Sequence, residues 1–449
     1  MMQPFSLPPV TSPAWSPACL APGPDLPGLP DGLLPALVAA AAPDRLALVG
    51  GAVRDLLLHR VHADPWRGLP DLDLVVEPAP AAGAAGAVPE PATGSPALRL
   101  ARRLRDRKPG PLLVRSLREH GAYGTVELEL VWGDQVLLLD LATARRETYA
   151  QPGENPQVCF GSLADDLARR DFSINAMALR LGDGGDLLDP HGGLQDLRQR
   201  RLRLLHGGSL ADDPTRIVRA ARYAARLGFS LAEEDQHQLQ ATLARWPWSW
   251  RPGDPPAQAP PALATRLRME LELLLERERV GDALAALQGW GALPLLDPAL
   301  QADPTWARRL AWGRRFGLPA LVCWLAVAGD PLPLAQRLQV PHRQQRLLEQ
   351  GERLTARLAC LDGAGAEAWS PSRWCELLEA PGISPEAVAL RLAAGQRPRR
   401  PLLRWWLRWR HVRPALGAQE LLDQGWAPGP ALGRRLRELR RQQLDCLGG

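Results

Sequence analysis

Lysine is almost missing from this chain. Of its 54 basic residues only Lys108 is a lysine, so arginine carries nearly all the positive charge. The compositional bias of a GC-rich genome explains the bulk of that. Arginine also binds phosphate bidentately, which lysine cannot do. Paired cysteines are missing too. Cys19, Cys159, Cys323, Cys360, Cys375 and Cys446 form no Cys-x-x-Cys pair. That excludes a zinc ribbon or a thioredoxin-like motif and fits a reducing compartment. No apolar run approaches the ~18 residues of a membrane span. The N-terminus lacks the basic stretch and apolar core of a secretory signal. A soluble, cytoplasmic protein without membrane contacts is the expectation.

What is present suits two to four structural units in 449 residues, 46% hydrophobic and 23% charged. The formal net charge of +5 leans towards a polyanionic partner. Residues 1–43 form a proline-rich arm, with a short helix predicted at 33–42. An α/β pattern follows: strands at 46–49, 71–76, 112–114, 124–131 and 136–142, and helices near 52–59 and 98–107. Gly133-Asp134 reads as a hairpin turn. Residues 78–96 read as a variable loop and 186–188 as a late strand. Beyond about residue 205 strand patterns stop and helical periodicity takes over. Trp246–Pro261 reads as an inserted loop. The domain expectation is an arm (1–43), a head (44–205), a helical neck (206–293) and a helical body and tail (294–449).

Asp71 and Asp73 stand two apart on a predicted strand, so both point to one face. Two carboxylates on one face repel unless a cation lies between them. Hard oxygen donors suit Mg²⁺ held by one or two carboxylates together with phosphates. A lone Asp-x-Asp is more often a pair of solvated strand-edge side chains. Here a Gly50-Gly51 turn precedes it and enters a helix bearing Arg54 and Asp55, a geometry that admits phosphate. Asp140 on a later strand has two equal readings, a third carboxylate or the cap of the following turn.

Arg169-Arg170-Asp171 precedes a helix start that includes Asn175. Read alone it is a basic surface with Asp171 as N-cap; read beside the carboxylates it is an arginine fork for a triphosphate. Asp189 and Asp196 lie about the Gly192-Gly193 turn, which reads as a structural hinge. Asp212 reads as the N-cap of the next helix, ahead of Pro214. Asp213, Arg216 and Arg219 fall on one stripe. They form either a local ion pair or a protein template that reads the polar edge of C or A.

Taken in order, Gly50–Asp55, Asp71-Leu-Asp73, Asp140–Arg145, Arg169–Ala176, Gly192-Gly193 and Asp213–Arg216 resemble the class II tRNA nucleotidyltransferase and poly(A) polymerase family. The resemblance covers residues 45–230. It implies an α/β nucleotidyltransferase head, a small mixed sheet with helices, followed by an all-α neck, body and tail. It implies Mg²⁺ on Asp71 and Asp73, with Asp140 among the catalytic residues. It assigns nucleotide binding to Gly50, Gly51, Arg54, Asp55, Arg169, Arg170, Asp171, Asn175, Asp213, Arg216 and Arg219. CTP and ATP would be substrates, and the tail would grip the acceptor arm of tRNA. The family usually has Glu where Asp212 stands. Residues 148–163 resemble the family's flexible loop, which helps the pocket switch from C to A and so argues against C-only addition. The family's poly(A) polymerases share these head motifs, and a catalytically silent RNA-binding protein is the third reading; retention of both Asp71 and Asp73 argues against the last.

Overall fold

The computed structural model describes residues 26–68, 72–79, 94–106, 111–120, 123–182, 185–361 and 369–446. Most of the proline-rich arm, residues 80–93 of the Ala/Gly/Pro-rich loop, and Asp71 lie outside them. The described chain divides into two units. One runs to Ala150, resumes over Asn155–Ser209 and takes in Gly228–Asp235. The other holds Gln151–Glu154, Leu210–Leu227 and everything after Gln236.

The first unit is built on a mixed sheet. Its strands are β1 (Arg45–Val49), β2 (Leu72–Glu77), β3 (Leu112–His120), β4 (Thr125–Trp132) and β5 (Gln135–Thr143). After a short hairpin, β6 (Arg145–Thr148) and β7 (Gln157–Phe160), come β8 (Ala178–Leu181) and β9 (Leu187–Leu188). The order across the sheet is β3-β4-β5-β2-β1-β8-β9, and only β2 and β5 pair in parallel. Leu46 to Val49 of β1 are all buried, as expected of a central strand covered on both faces. Helices α1 (Leu33–Ala41), α2 (Gly51–His62) and α3 (Pro96–Arg105) belong to the same unit. In α3 the buried residues Ala97, Leu98, Leu100, Ala101 and Leu104 repeat at helical spacing. Ser95 caps it by accepting from Leu98 N at 3.2 Å, and Pro96 occupies the first turn, where a missing N–H costs nothing.

Short helices α4 (Leu163–Ala168) and α5 (Gly193–Arg198) complete this unit around a 3₁₀ turn at Ser173–Asn175. Strand structure does not end at residue 205 as the pattern suggested. A two-residue strand, Ser230–Leu231, returns to pair in parallel with Arg201–Leu202. Two residues are too few for a period to register in sequence.

The second unit is helical: α6 (Ser209–Asp212), α7 (Thr215–Leu227), α8 (Glu233–Arg245, its first turn counted with the other unit), α9 (Thr265–Arg277), α10 (Val280–Gly289) and further helices to Cys446. Trp246–Pro261 is a loop with short 3₁₀ turns, and it is packed. Trp248 and Trp250 are buried, and their indole N–H groups donate to Ala211 O at 2.9 Å and Pro255 O at 3.1 Å. The buried Arg337 guanidinium lies 4.8 Å from the Trp250 ring centroid. Prolines broke the helical period here, but tertiary packing fixes the segment. Towards the C-terminus a second core forms around Trp374, Trp405 and Trp409. Among the described residues no helix is long and apolar enough to cross a membrane.

Candidate active site

Asp73 lies on β2, and its direct partner on the parallel strand β5 is Asp140. Lateral partners in a sheet point to the same face, so the two carboxylates share one side. Glu127 of β4 pairs with Asp140 and continues the row. Asp140 thus stands beside Asp73 and is exposed, an arrangement that suits the reading as a third carboxylate. Among the described residues no group of three or more His, Cys, Asp or Glu is arranged to hold a metal. Two adjacent carboxylates, completed by substrate phosphates, nevertheless form the donor set that Mg²⁺ ordinarily takes.

The turn between β1 and α2 lies against this row. Gly50 has φ 68° and ψ −131°, a conformation open in practice only to glycine. A Cβ there would come within 3.0 Å of Arg170 Nη1 and 3.4 Å of Asp73 Oδ2. The bare backbone therefore sits between a carboxylate and a guanidinium, where a phosphate can approach. Gly51 opens α2, so the helix N-terminus faces the same way. Arg54, one turn in, is almost fully buried. It donates to both oxygens of Asp55, at 2.8 and 3.0 Å, and to Asn175 Oδ1 at 2.8 Å. Asn175 in turn donates to Asp171 Oδ1 at 3.0 Å, which also accepts from Phe172 N at 2.8 Å. Arg54, Asp55, Asn175 and Asp171 thus form one chain of hydrogen bonds that locks the turn.

Arg169 and Arg170 are oriented by one residue that the sequence reading passed over. Asp166 of α4 is fully buried. It takes Arg169 on one oxygen, at 2.7 and 2.9 Å, and Arg170 on the other, at 2.8 and 3.3 Å. Burial pushes its carboxyl up, but the two guanidiniums outweigh that and hold it below the usual carboxylate range. Arg169 also reaches Glu147 at 3.1 Å, and Arg170 reaches Asn175 O at 3.4 Å. The spacing of three and four residues from Asp166 to the pair was the available signal.

Asp189 and Asp196 are structural. Asp189 accepts from Gly193 N at 2.6 Å and Leu194 N at 2.9 Å, while fully buried Asp196 holds Ser173, Arg201 and Arg203.

The remaining predicted residues lie in the helical unit. Asp212 does not cap α7; it ends α6. Asp213 takes that role and accepts from Thr215 N at 3.1 Å and Thr215 Oγ1 at 2.6 Å. With two acids before Pro214, the sequence could not say which one bends out of the helix. The second Asp213 oxygen accepts from Arg266, and Arg216 is buried on the first turn. Arg219 pairs with Glu270 at 3.0 Å and lies over Tyr223. Within residues 148–163, β6 and β7 form an antiparallel hairpin. Its tip belongs to the helical unit. There Gly153 donates to Asp212 O and accepts from Ala262 N, both at 3.1 Å.

Comparison with known proteins bears on the family and the fold. Residues 46–203 match the poly A polymerase head domain. A CC-adding tRNA nucleotidyltransferase of Deinococcus radiodurans is 38% identical over 409 residues, 89% of this chain and 85% of that protein. An A-adding tRNA nucleotidyltransferase of Aquifex aeolicus is 39% identical over 208 residues, but these are 44% of this chain and 20% of that protein. Among solved structures, the apo form II of a CCA-adding enzyme superposes with a TM-score of 0.66 at 24% identity, over 93% of both chains. The Thermotoga maritima CCA-adding enzyme complexed with tRNA gives 0.61 at 24% identity, over 92% and 91%. At that identity the likeness is one of fold.

Proposed function

The chain belongs to the tRNA nucleotidyltransferase and poly(A) polymerase family, and from that premise we propose that it adds C residues, and no A, to the 3′ end of tRNA in the cytoplasm. The broader activity is template-independent transfer of C and/or A from CTP and ATP, with release of pyrophosphate. Two observations favour the narrower one. A relative matched along 85% of its own length is a CC-adding enzyme, whereas the A-adding match from Aquifex aeolicus spans a fifth of that protein. Residues 148–163, which resemble a loop that moves to admit A, form a hairpin whose tip is tied down. A Cβ on Gly153 would sit 2.9 Å from Trp248 Cδ1 and 3.3 Å from Pro260 Cγ. A tip packed in this way supports a pocket of fixed shape.

In the proposed reaction the tRNA 3′-hydroxyl attacks the α-phosphate of bound CTP. Asp73 and Asp140, with Asp71, would hold a divalent ion, which when bound offsets phosphate charge and favours ionisation of the hydroxyl. Arg170, aimed across the Gly50 backbone by Asp166, draws the triphosphate in. The network from Arg54 to Asp171 keeps the turn rigid, so the phosphates meet preset donors. Asp213 and Arg216 read the base. A carboxylate accepts from the cytosine amine and a guanidinium donates to its ring nitrogen or carbonyl.

The observation that carries the reading is the Asp73–Asp140 pairing beside the Gly50 turn. Its test uses tRNA lacking the terminal CCA, with labelled CTP and ATP together. We expect two nucleotides added and then a stop, with Asp73→Ala abolishing transfer at nearly unchanged tRNA affinity. A product ending in A would remove the C-only reading. A long A tail on varied RNAs would replace it with poly(A) synthesis, and Asp73→Ala activity close to wild type would remove the site.

A further inference from the structure

A row of stacked side chains in the helical unit has no part in the chemistry above. The helix Trp306–Arg315 brings Trp312 and Phe316 together across one turn, with ring centroids 5.5 Å apart. Phe316 meets Trp406, from the helix Arg399–Leu407, edge-on at 4.9 Å. Guanidiniums close both ends. Arg315 and Arg399 lie 5.3 and 5.2 Å from the Trp312 centroid, and Arg410 lies 3.7 Å from that of Trp406. Each of the three rings keeps part of its surface in solvent.

Core packing alone explains the inner edges, since Phe316 and Trp406 border the Trp374 and Trp405 cluster. It does not explain the charges. None of Arg315, Arg399 and Arg410 is in an ion pair among the described residues. Arg399 donates to Leu392 O at 3.0 Å, and Arg410 donates to the neighbouring His411 ring nitrogen at 3.0 Å. The sequence removes acids from both contributing segments: there is no Asp or Glu between Pro304 and Gly329, nor between Gln396 and Gln419. Aromatic rings capped by guanidiniums, on segments that carry no acid of their own, complement unpaired nucleobases joined by phosphates. Bases stack on aromatic and guanidinium planes, and arginine takes the phosphates.

We propose that the row Arg399–Trp312–Phe316–Trp406–Arg410 is a stacking platform for unpaired nucleotides of the RNA substrate, separate from the catalytic head. The inference rests on the tRNA reading for its choice of polyanion. It adds a mode of recognition that depends on bases being exposed, not on charge alone.

The test compares binding of the full chain to a labelled single-stranded oligoadenylate and to an abasic oligomer of equal length. Roughly 10-fold tighter binding of the base-bearing oligomer is expected. Arg410→Lys keeps the charge and loses the plane, so it should remove most of that preference while leaving abasic binding unchanged. Trp406→Ala should do the same and Trp406→Phe should restore it. If Trp406→Ala melts early, Arg410→Lys carries the test by itself. Equal affinity of the wild type for both oligomers, or an equal loss on both in Arg410→Lys, overturns the platform. A wild type that prefers bases yet transfers no nucleotide to tRNA keeps the platform and removes the functional reading. Transfer without any base preference does the reverse.

Discussion

Asp166 holds two guanidiniums on one fully buried carboxylate, which makes it the residue whose loss separates orientation from chemistry. It lies one residue removed from any proposed phosphate contact. Asp166→Asn keeps the shape and removes the charge. Breaking a buried pair costs about 3–5 kcal/mol, because the partners stay desolvated. We expect a lower melting temperature and a KM for CTP raised about 10-fold, with kcat changed less, since Arg169 and Arg170 lose aim while Asp73 does not move. An equal fall in kcat with KM untouched would mean that the pair does not bind the triphosphate. Asp235 makes a different point. It is buried, accepts from Leu204 N at 2.7 Å, and burial pushes it up to about 6. The Leu204 N–H and Arg203 oppose that shift, while Glu234 and Asp196 add to it. The folded protein therefore holds a proton that the unfolded chain, with an ordinary carboxylate, releases near pH 4. Stability from this group is highest at low pH and falls as pH rises from about 4 to 6. Asp235→Asn cannot ionise and keeps an acceptor for Leu204. It should be more stable than wild type at pH 7, by about 2–3 kcal/mol at most, and should lose that advantage at pH 4.5. Melting curves at both pH values decide, and an equal difference at the two would exclude titration of Asp235.

Among elements, the β1–α2 turn depends on a backbone conformation that favours glycine. Gly50→Ala forces a side chain into a backbone conformation worth roughly 1–3 kcal/mol of strain and towards Arg170 and Asp73. Transfer should fall by about 100-fold. Gly51→Ala is the comparison: its Cβ would meet the Arg54 guanidinium at 3.4 Å, an ordinary van der Waals contact, so the loss should be much smaller than at Gly50. Similar losses in both would mean that the turn tolerates no change, and the specific role of Gly50 would go. How much of this was legible in sequence follows from range. The Gly50-Gly51 turn, strands β1 to β5, helix α3 and the hairpin at Gly133-Asp134 depend on neighbours a few residues apart, and periodicity found them. The pairing of Asp73 with Asp140 joins strands far apart in the chain, and alternation within either strand carries no information about its lateral partner. The burial of Trp248 and Trp250 is likewise invisible locally, since prolines erase the helical period that would have marked them. Asp166 was legible by its spacing to Arg169 and Arg170, but a helix-start pattern with arginines drew attention to the wrong side of the motif.

For the molecule as a whole, the net charge of +5 understates the field. Many arginines are neutralised where they stand: on α7, Arg219 and Arg222 share Glu270, while Arg222 and Arg226 share Glu278. Others are not. Between Gln396 and Gln419 there are seven arginines and no acid. A polyanion gripped by such a segment releases counterions in proportion to the phosphates contacted, and the logarithm of affinity falls with a slope of roughly −0.9 per phosphate. For about four to six contacts, raising salt from about 50 to 200 mM should weaken tRNA binding by roughly 10² to 10³-fold. KM for CTP should rise far less, because the arginines proposed to meet its phosphates are half-buried and paired to Asp166, where salt screens poorly. Titration of tRNA binding and steady-state kinetics over the same salt series separate the two surfaces. A tRNA affinity that changes by less than about 5-fold would leave the unpaired arginines without contact to the RNA backbone, and the grip on tRNA would have to come from shape and stacking alone.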